Sequence, residues 1–268
     1  MSYKGYKVID SHCHIYPEKI VDKAVAGTDR FYDVKSACRG TVSDLLEKGG
    51  AARVDMFIVQ SVATTPKQVK SINEFIANEV AQNSDKLIGL GTLHPDSEDL
   101  AGDVDHLISL GLRGVKLHPD IQAFKIDDYR CLKIYELCEE KGLPILMHTG
   151  DNRYDYSNPN RLIPVLKIYK DLTVIGAHMG GWSIWDEASK QLADMPNLYV
   201  DCSSSFYYIS NETAADIIRR YGTDRVLFGT DYPMWNPKSE LDTFLSLGFN
   251  DEENKKMLSE NALKLFAR

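Results

Sequence analysis

The chain alternates short apolar, β-branched runs with longer stretches in which apolar residues recur every three and four positions. Eight runs of the first kind stand at Lys7–Asp10, Val54–Gln60, Leu87–Thr92, Gly114–His118, Pro144–His148, Thr173–His178, Leu198–Asp201 and Arg225–Thr230. Their length and branching predict buried strands. Between them, Gln68–Asn83 carries Val69, Ile72, Phe75, Ile76 and Val80 on one stripe, and Tyr129–Lys141 carries Leu132, Ile134, Tyr135, Leu137 and Cys138. Leu100–Leu110, Arg161–Tyr169 and Ala214–Tyr221 also read as helices. That spacing predicts helices with one face against the strands.

Strand alternating with helix implies a parallel sheet with crossover helices, and eight such units close into a barrel. The fold class is therefore α/β, a single (β/α)8 TIM barrel. The length of 268 residues fits the roughly 250 of such a barrel. The rival, an open doubly wound sheet, needs a glycine-rich turn after its first strand. Gly89-Leu90-Gly91 lacks the third glycine of that fingerprint. The expected organisation is one barrel domain over 1–268 with an insertion at about 15–40, after the first strand. A short helix is expected at Glu18–Ala26, and Thr41-Val42-Ser43-Asp44 reads as a capping box opening the next helix.

Composition narrows the partners. With 43% hydrophobic and 26% charged residues the chain is globular rather than disordered. A net charge of −8 argues against nucleic acid, whose binders show a basic footprint. The longest stretch free of Asp, Glu, Lys and Arg is 14 residues, Leu172–Trp185, too short and too polar for a membrane span. Met1–Asp10 lacks the apolar core of a signal peptide. Five cysteines without a CxxC pair read as reduced thiols in a cytoplasmic protein. Monomer and homodimer are both compatible with this surface.

The candidate chemistry lies at strand ends. In Asp10-Ser11-His12-Cys13-His14, alternation puts His12 and His14 on one face, where both can aim at one metal, and turns Cys13 away. His148, His178 and Asp231 each close or follow a predicted strand. In a barrel these ends converge on one mouth, where active sites are built. Four histidines and a carboxylate suffice for a mononuclear metal site with an extra acid–base group. Lys116 and His118 share a face at the fourth strand. Lys116 is the partner expected for a substrate carboxylate, and a carboxylated Lys116 bridging two ions is the less favoured reading. His118 is a candidate for substrate or metal surroundings, Arg153 for a carboxylate clamp and Trp182 for a pocket wall. Gln122 lies just beyond the fourth strand and is a further candidate for the pocket lining. His94 reads as a satisfied loop histidine and His106 as a solvated one.

The stretches IDSHCHIYP, GVKLHP, ILMHTGD, VIGAHMGG and VLFGTDYP resemble the amidohydrolase superfamily, specifically its amidohydrolase-2 branch. The resemblance runs from Val8 to about Phe266. It implies a barrel of the metallo-dependent hydrolase type. It also implies that His12, His14, His148 and Asp231 ligate one divalent metal, zinc first and manganese second, with His178 beside the bound water. Asp231 and His178 are then the catalytic acid–base pair. The branch holds hydrolases and decarboxylases. The first expectation is a hydrolase that cleaves a small-molecule C–N or C–O bond with a metal-activated water. The alternative is a metal-dependent non-oxidative decarboxylase, a lyase, of a small aromatic or unsaturated carboxylic acid. Either way the expected partner is a small molecule, carboxylate-bearing on the Lys116 reading. A barrel that has lost catalysis is the third possibility, and the intact ligand set argues against it.

Overall fold

The computed structural model describes residues 5–266. Its strands run Ile9–His14, Met56–Gln60, Leu87–Gly89 continued by Gly91–Thr92, Val115–Leu117, Ile145–Met147, Val174–Gly176, Leu198–Asp201 and Val226–Leu227. Neighbours in this order pair in parallel, and the third strand is interrupted at Leu90, where the sheet passes from one partner to the next. Ser11 N–H donates to the Phe228 carbonyl (2.9 Å) and His14 N–H to the Tyr232 carbonyl (2.6 Å), which joins the eighth strand to the first and closes the TIM barrel.

The first strand begins later and ends later than its apolar run predicts. It is carried through His14 by pairing of Cys13 with Val59 and His14 with Gln60, after a register shift between Asp10 and Cys13. The eighth strand is shorter than predicted. Beyond Leu227 the chain turns to other partners: Phe228 N–H donates to the Met257 carbonyl and Thr230 to the buried Asp10 carboxylate. The insertion holds a longer helix than expected, Val21–Tyr32, with Val21 its buried residue. At the next helix, Thr41 accepts from Asp44 N–H as a cap should, while the Asp44 carboxylate takes Arg39 N–H and Tyr232 O–H instead of closing the box.

The barrel interior is layered. Ile9, Ile58, Leu90, Leu146, Ile175, Tyr199 and Leu227 form a plug, closed below by Ala262 and Phe266 of the last helix. Each such aliphatic side chain stabilises the fold by roughly 1.5–3 kcal/mol on burial. Alternation returns the strand to the same face two residues on. From Ile58 that step reaches Gln60, from Leu146 His148, and from Tyr199 Asp201. The same step from Ile175 reaches Ala177 and from Leu227 Gly229, so the layer above the plug is largely polar, and it faces the mouth.

Candidate metal centre

His12 lies fully buried on the first strand. Its Nδ1–H donates to Asp201 Oδ2 at 2.8 Å, so the Nε2 lone pair points the other way. His12 Nε2 stands 3.2 Å from His14 Nε2 and 3.3 Å from Asp231 Oδ1, and His14 Nε2 is 3.6 Å from the same oxygen. Two imidazole nitrogens and a carboxylate oxygen thus converge, a donor set that suits a borderline divalent cation. Asp201 is held from its other side: Oδ1 accepts from His178 N–H, Ser203 N–H and Ser203 Oγ–H. A carboxylate behind a histidine fixes its tautomer and orientation.

Asp231 and His178 both sit in the left-handed region, at φ of 60° and 59°. Non-glycine residues adopt it at a cost and cluster at functional sites. Burial pushes the Asp231 carboxyl up to about 7, against a hydrogen bond from Ser204 and the charge of Lys116. Burial likewise lowers His178 to about 4, so its imidazole is neutral near pH 7.

The expected fourth ligand, His148, stands apart from the trio. Its Nδ1 is 3.0 Å from His178 Nε2, its Nε2 3.1 Å from the Gly150 carbonyl, and its ring stacks on His118 at 4.0 Å. With His148 Nε2–H donating to the Gly150 carbonyl and His178 Nδ1–H to the Ser203 carbonyl, the lone pairs of His148 Nδ1 and His178 Nε2 face each other across 3.0 Å. Asp120 Oδ2, held by Ser157, lies 3.5 Å from His148 Nε2. The turn beyond requires glycine: at Gly150, φ +80°, a Cβ would meet the Gly181 and Trp182 backbone at 2.4 Å.

Lys116 is buried with its Nζ 3.0 Å from His12 Nε2. Lys116, His118, His148 and the trio open into a cleft of about 950 Å³ between the inserted helix and the Val69–Gln82 helix. Tyr32 closes one side, its hydroxyl 2.7 Å from His118 Nε2, and Trp182 packs edge-on to it at 5.2 Å. Arg153 does not offer a free fork. It grips the buried Asp151 carboxylate through Nε and Nη2 (2.9 and 2.7 Å) and reaches the Phe31 carbonyl at 2.7 Å. Gln122 ties the fourth-strand loop to Ala63 and Leu93 carbonyls rather than lining the cleft. His94 is buried and accepts from Asp96 N–H. Half-buried His106 lies 3.7 Å from Glu74.

Asp201, Tyr32 and Asp120 were not among the sequence candidates. Asp201 ends an apolar run as His148 does, so the same signal marks it. Tyr32 and Asp120 carry no such signal, since their partners are distant in sequence.

The structure is thus a TIM barrel whose mouth gathers two imidazoles and a carboxylate that could hold a metal ion. The chain matches the amidohydrolase family over residues 9–268 and belongs to it. A relative, the 2-amino-3-carboxymuconate-6-semialdehyde decarboxylase of Dictyostelium discoideum, is 23% identical over 161 residues, which is 54% of this chain and 42% of that protein. The match therefore spans less than half of that relative. A solved TIM-barrel protein of uncharacterised function from Bordetella bronchiseptica is 25% identical, with TM-score 0.81 over 97% of this chain and 98% of that one. The dihydroxybenzoic acid decarboxylase of Polaromonas sp. JS666, solved with manganese and the inhibitor 2-nitroresorcinol, is 17% identical, with TM-score 0.76 over 98% and 97%. Further decarboxylases of aromatic acids share the fold. Among the described residues no helix is long and apolar enough to cross a membrane.

Proposed function

We propose that this chain is a metal-dependent non-oxidative decarboxylase of a small aromatic or unsaturated carboxylic acid. The observation that carries the reading is the convergence of His12, His14 and Asp231 in a barrel whose similar proteins include several decarboxylases. These comparisons favour lyase chemistry over the hydrolysis that the sequence suggests first. Manganese in the Polaromonas protein supports manganese ahead of zinc.

His12, His14 and Asp231 would hold the ion, with His148 joining by leaving its present partners. When bound, the ion supplies Lewis acidity and anchors an anionic substrate. Lys116 offers a cationic partner to the substrate's negative groups, and His118 lines the same cleft. With Oδ1 turned to His12 and His14, Asp231 would take a solvent proton at its other oxygen, Oδ2, beside Ser204, and deliver it. It goes to the ring or alkene carbon as the bond to the carboxylate breaks, the electron pair stays on carbon and CO2 leaves. His178, neutral and held through Nδ1–H on the Ser203 carbonyl, presents its Nε2 lone pair to the reacting groups. Trp182 and Tyr32 keep bulk water out.

The hydrolytic reading uses the same residues with Asp231 as base, and the family match supports it. A panel of hydroxybenzoates, unsaturated carboxylates, lactones and amides separates the two, with manganese-loaded protein, CO2 release as the readout for the acids and release of the free carboxylic acid as the readout for lactones and amides. Decarboxylation that is lost in Asp231→Asn is the expected result. Turnover confined to lactones or amides would overturn the proposal, as would decarboxylation undiminished in Asp231→Asn.

A further inference from the structure

We propose that Lys116 is an internal cation that competes with the metal for His12, holding the cluster together in the metal-free protein and yielding the position on loading. The inference rests on the metal reading above. It begins from one lone pair. His12 has two ring nitrogens, and Nδ1 is committed as a donor to Asp201 at 2.8 Å. Nε2 therefore has a single lone pair to offer. Lys116 Nζ, at 3.0 Å and without exposure, donates to it. His14 Nε2, at 3.2 Å, faces the same pair but becomes a fellow ligand when a cation arrives. An N–H on Lys116 and a metal ion cannot share the pair, so loading breaks the Lys116–His12 bond.

Charge makes the exclusion stronger. The trio brings two imidazoles and a carboxylate into a buried space, and Lys116 is the cationic side chain that contacts it there. A divalent ion at the same place meets the lysine's charge as repulsion in a poorly screened interior. Lys116 has somewhere to go, because it lines the cleft of about 950 Å³ together with His118 and Asp231. Released into that cleft, its amine is free to meet the anionic group of the substrate. Metal loading thus sets the lysine for substrate, and the metal-free site stays assembled around the lysine.

A lysine that instead ligates the metal, directly or after carboxylation, predicts the opposite sign. The test is metal affinity and metal-free stability of the full chain, measured by competition with a chelating dye and by urea unfolding. For Lys116→Met we expect manganese and zinc to bind about tenfold or more tightly, while the metal-free protein loses stability. Lys116→Gln should behave alike and serves if the first variant does not fold. Affinity unchanged or weaker in the folded variant overturns the proposal. So does failure of both variants to fold even when metal is supplied, since that assigns Lys116 a structural role. Wild-type protein that binds neither metal at millimolar concentration overturns the metal reading itself, a distinct result.

Discussion

Asp201→Asn is the most discriminating single substitution at this site. The wild-type carboxylate accepts on both oxygens: Oδ2 from His12 Nδ1–H, and Oδ1 from His178 N–H, Ser203 N–H and Ser203 Oγ–H. An asparagine keeps the shape but has one oxygen and one NH2. Three donors on one side fix the oxygen there, so the NH2 faces His12. Two donors cannot meet, and His12 must move its proton from Nδ1 to Nε2. The nitrogen that points at His14 and Asp231 then carries hydrogen and can no longer ligate. Restoring the working tautomer forfeits a charge-assisted hydrogen bond, worth roughly 1.5–3 kcal/mol. Metal affinity should therefore fall about tenfold to a hundredfold, the range typical of a lost partner behind a ligating histidine. The assay is titration of metal-free protein with manganese against a competing chelator, with a thermal melt to show that the barrel still folds. A folded variant that binds manganese within about threefold of wild type would refute the tautomer argument.

Two further outcomes follow from buried groups. Glu240 is 1% exposed with an unpartnered Oε2, and burial, then Asp10 and Asp231, push it from 4.5 up to about 8. The native state thus keeps a proton that the unfolded chain releases above 4.5, so stability is full below that pH and is lost as pH rises through 8. The shift corresponds to roughly 3–5 kcal/mol, so Glu240→Gln should match wild type in urea at pH 4 and exceed it by that amount at pH 9. An equal difference at both pH values would show that ionisation is not the cause. Tyr32→Phe removes the hydroxyl oxygen that accepts from His118 Nε2–H, and should cost about 1 kcal/mol locally. Amide exchange across Val21–Tyr32 should quicken about fivefold, and unchanged protection would sink the idea that this bond seats the inserted helix.

What the sequence could disclose follows from how far each signal travels. His148, His178 and Asp231 were legible because a polar residue at the end of an apolar run is a local anomaly, and the barrel turns that anomaly into a shared mouth. Asp201 carried the same mark at the end of Leu198–Asp201 and needed only the same rule. Tyr32 is different. It sits 86 positions from His118, on a helix whose periodicity says nothing about what its last turn touches. Arg153 reads as a free carboxylate clamp until the neighbouring Asp151 is seen to turn back on it, and two residues of separation leave that choice to tertiary packing. His148 keeps its place at the strand end, but a terminal ring torsion decides which nitrogen faces the cluster, and no pattern in the chain fixes it.

The layering of the interior explains why so polar a mouth does not unmake the barrel. Asp10, His12, Lys116 and Asp201 have no exposure, and an unpaired buried charge destabilises by several kcal/mol. Each has a partner: Thr230 for Asp10, Asp201 for His12, His12 for Lys116, and His178 and Ser203 for Asp201. These partners lie on other strands or just past their ends, so the network ties the first strand to the fourth, the seventh and the segment after the eighth while it builds the site. Two residues below, the plug from Ile9 to Leu227 supplies burial without any such requirement. Stability is therefore concentrated at one level of the strands and chemistry at the next. A substitution that breaks one bond in the upper level should change metal and proton behaviour first, because the apolar level beneath it remains intact.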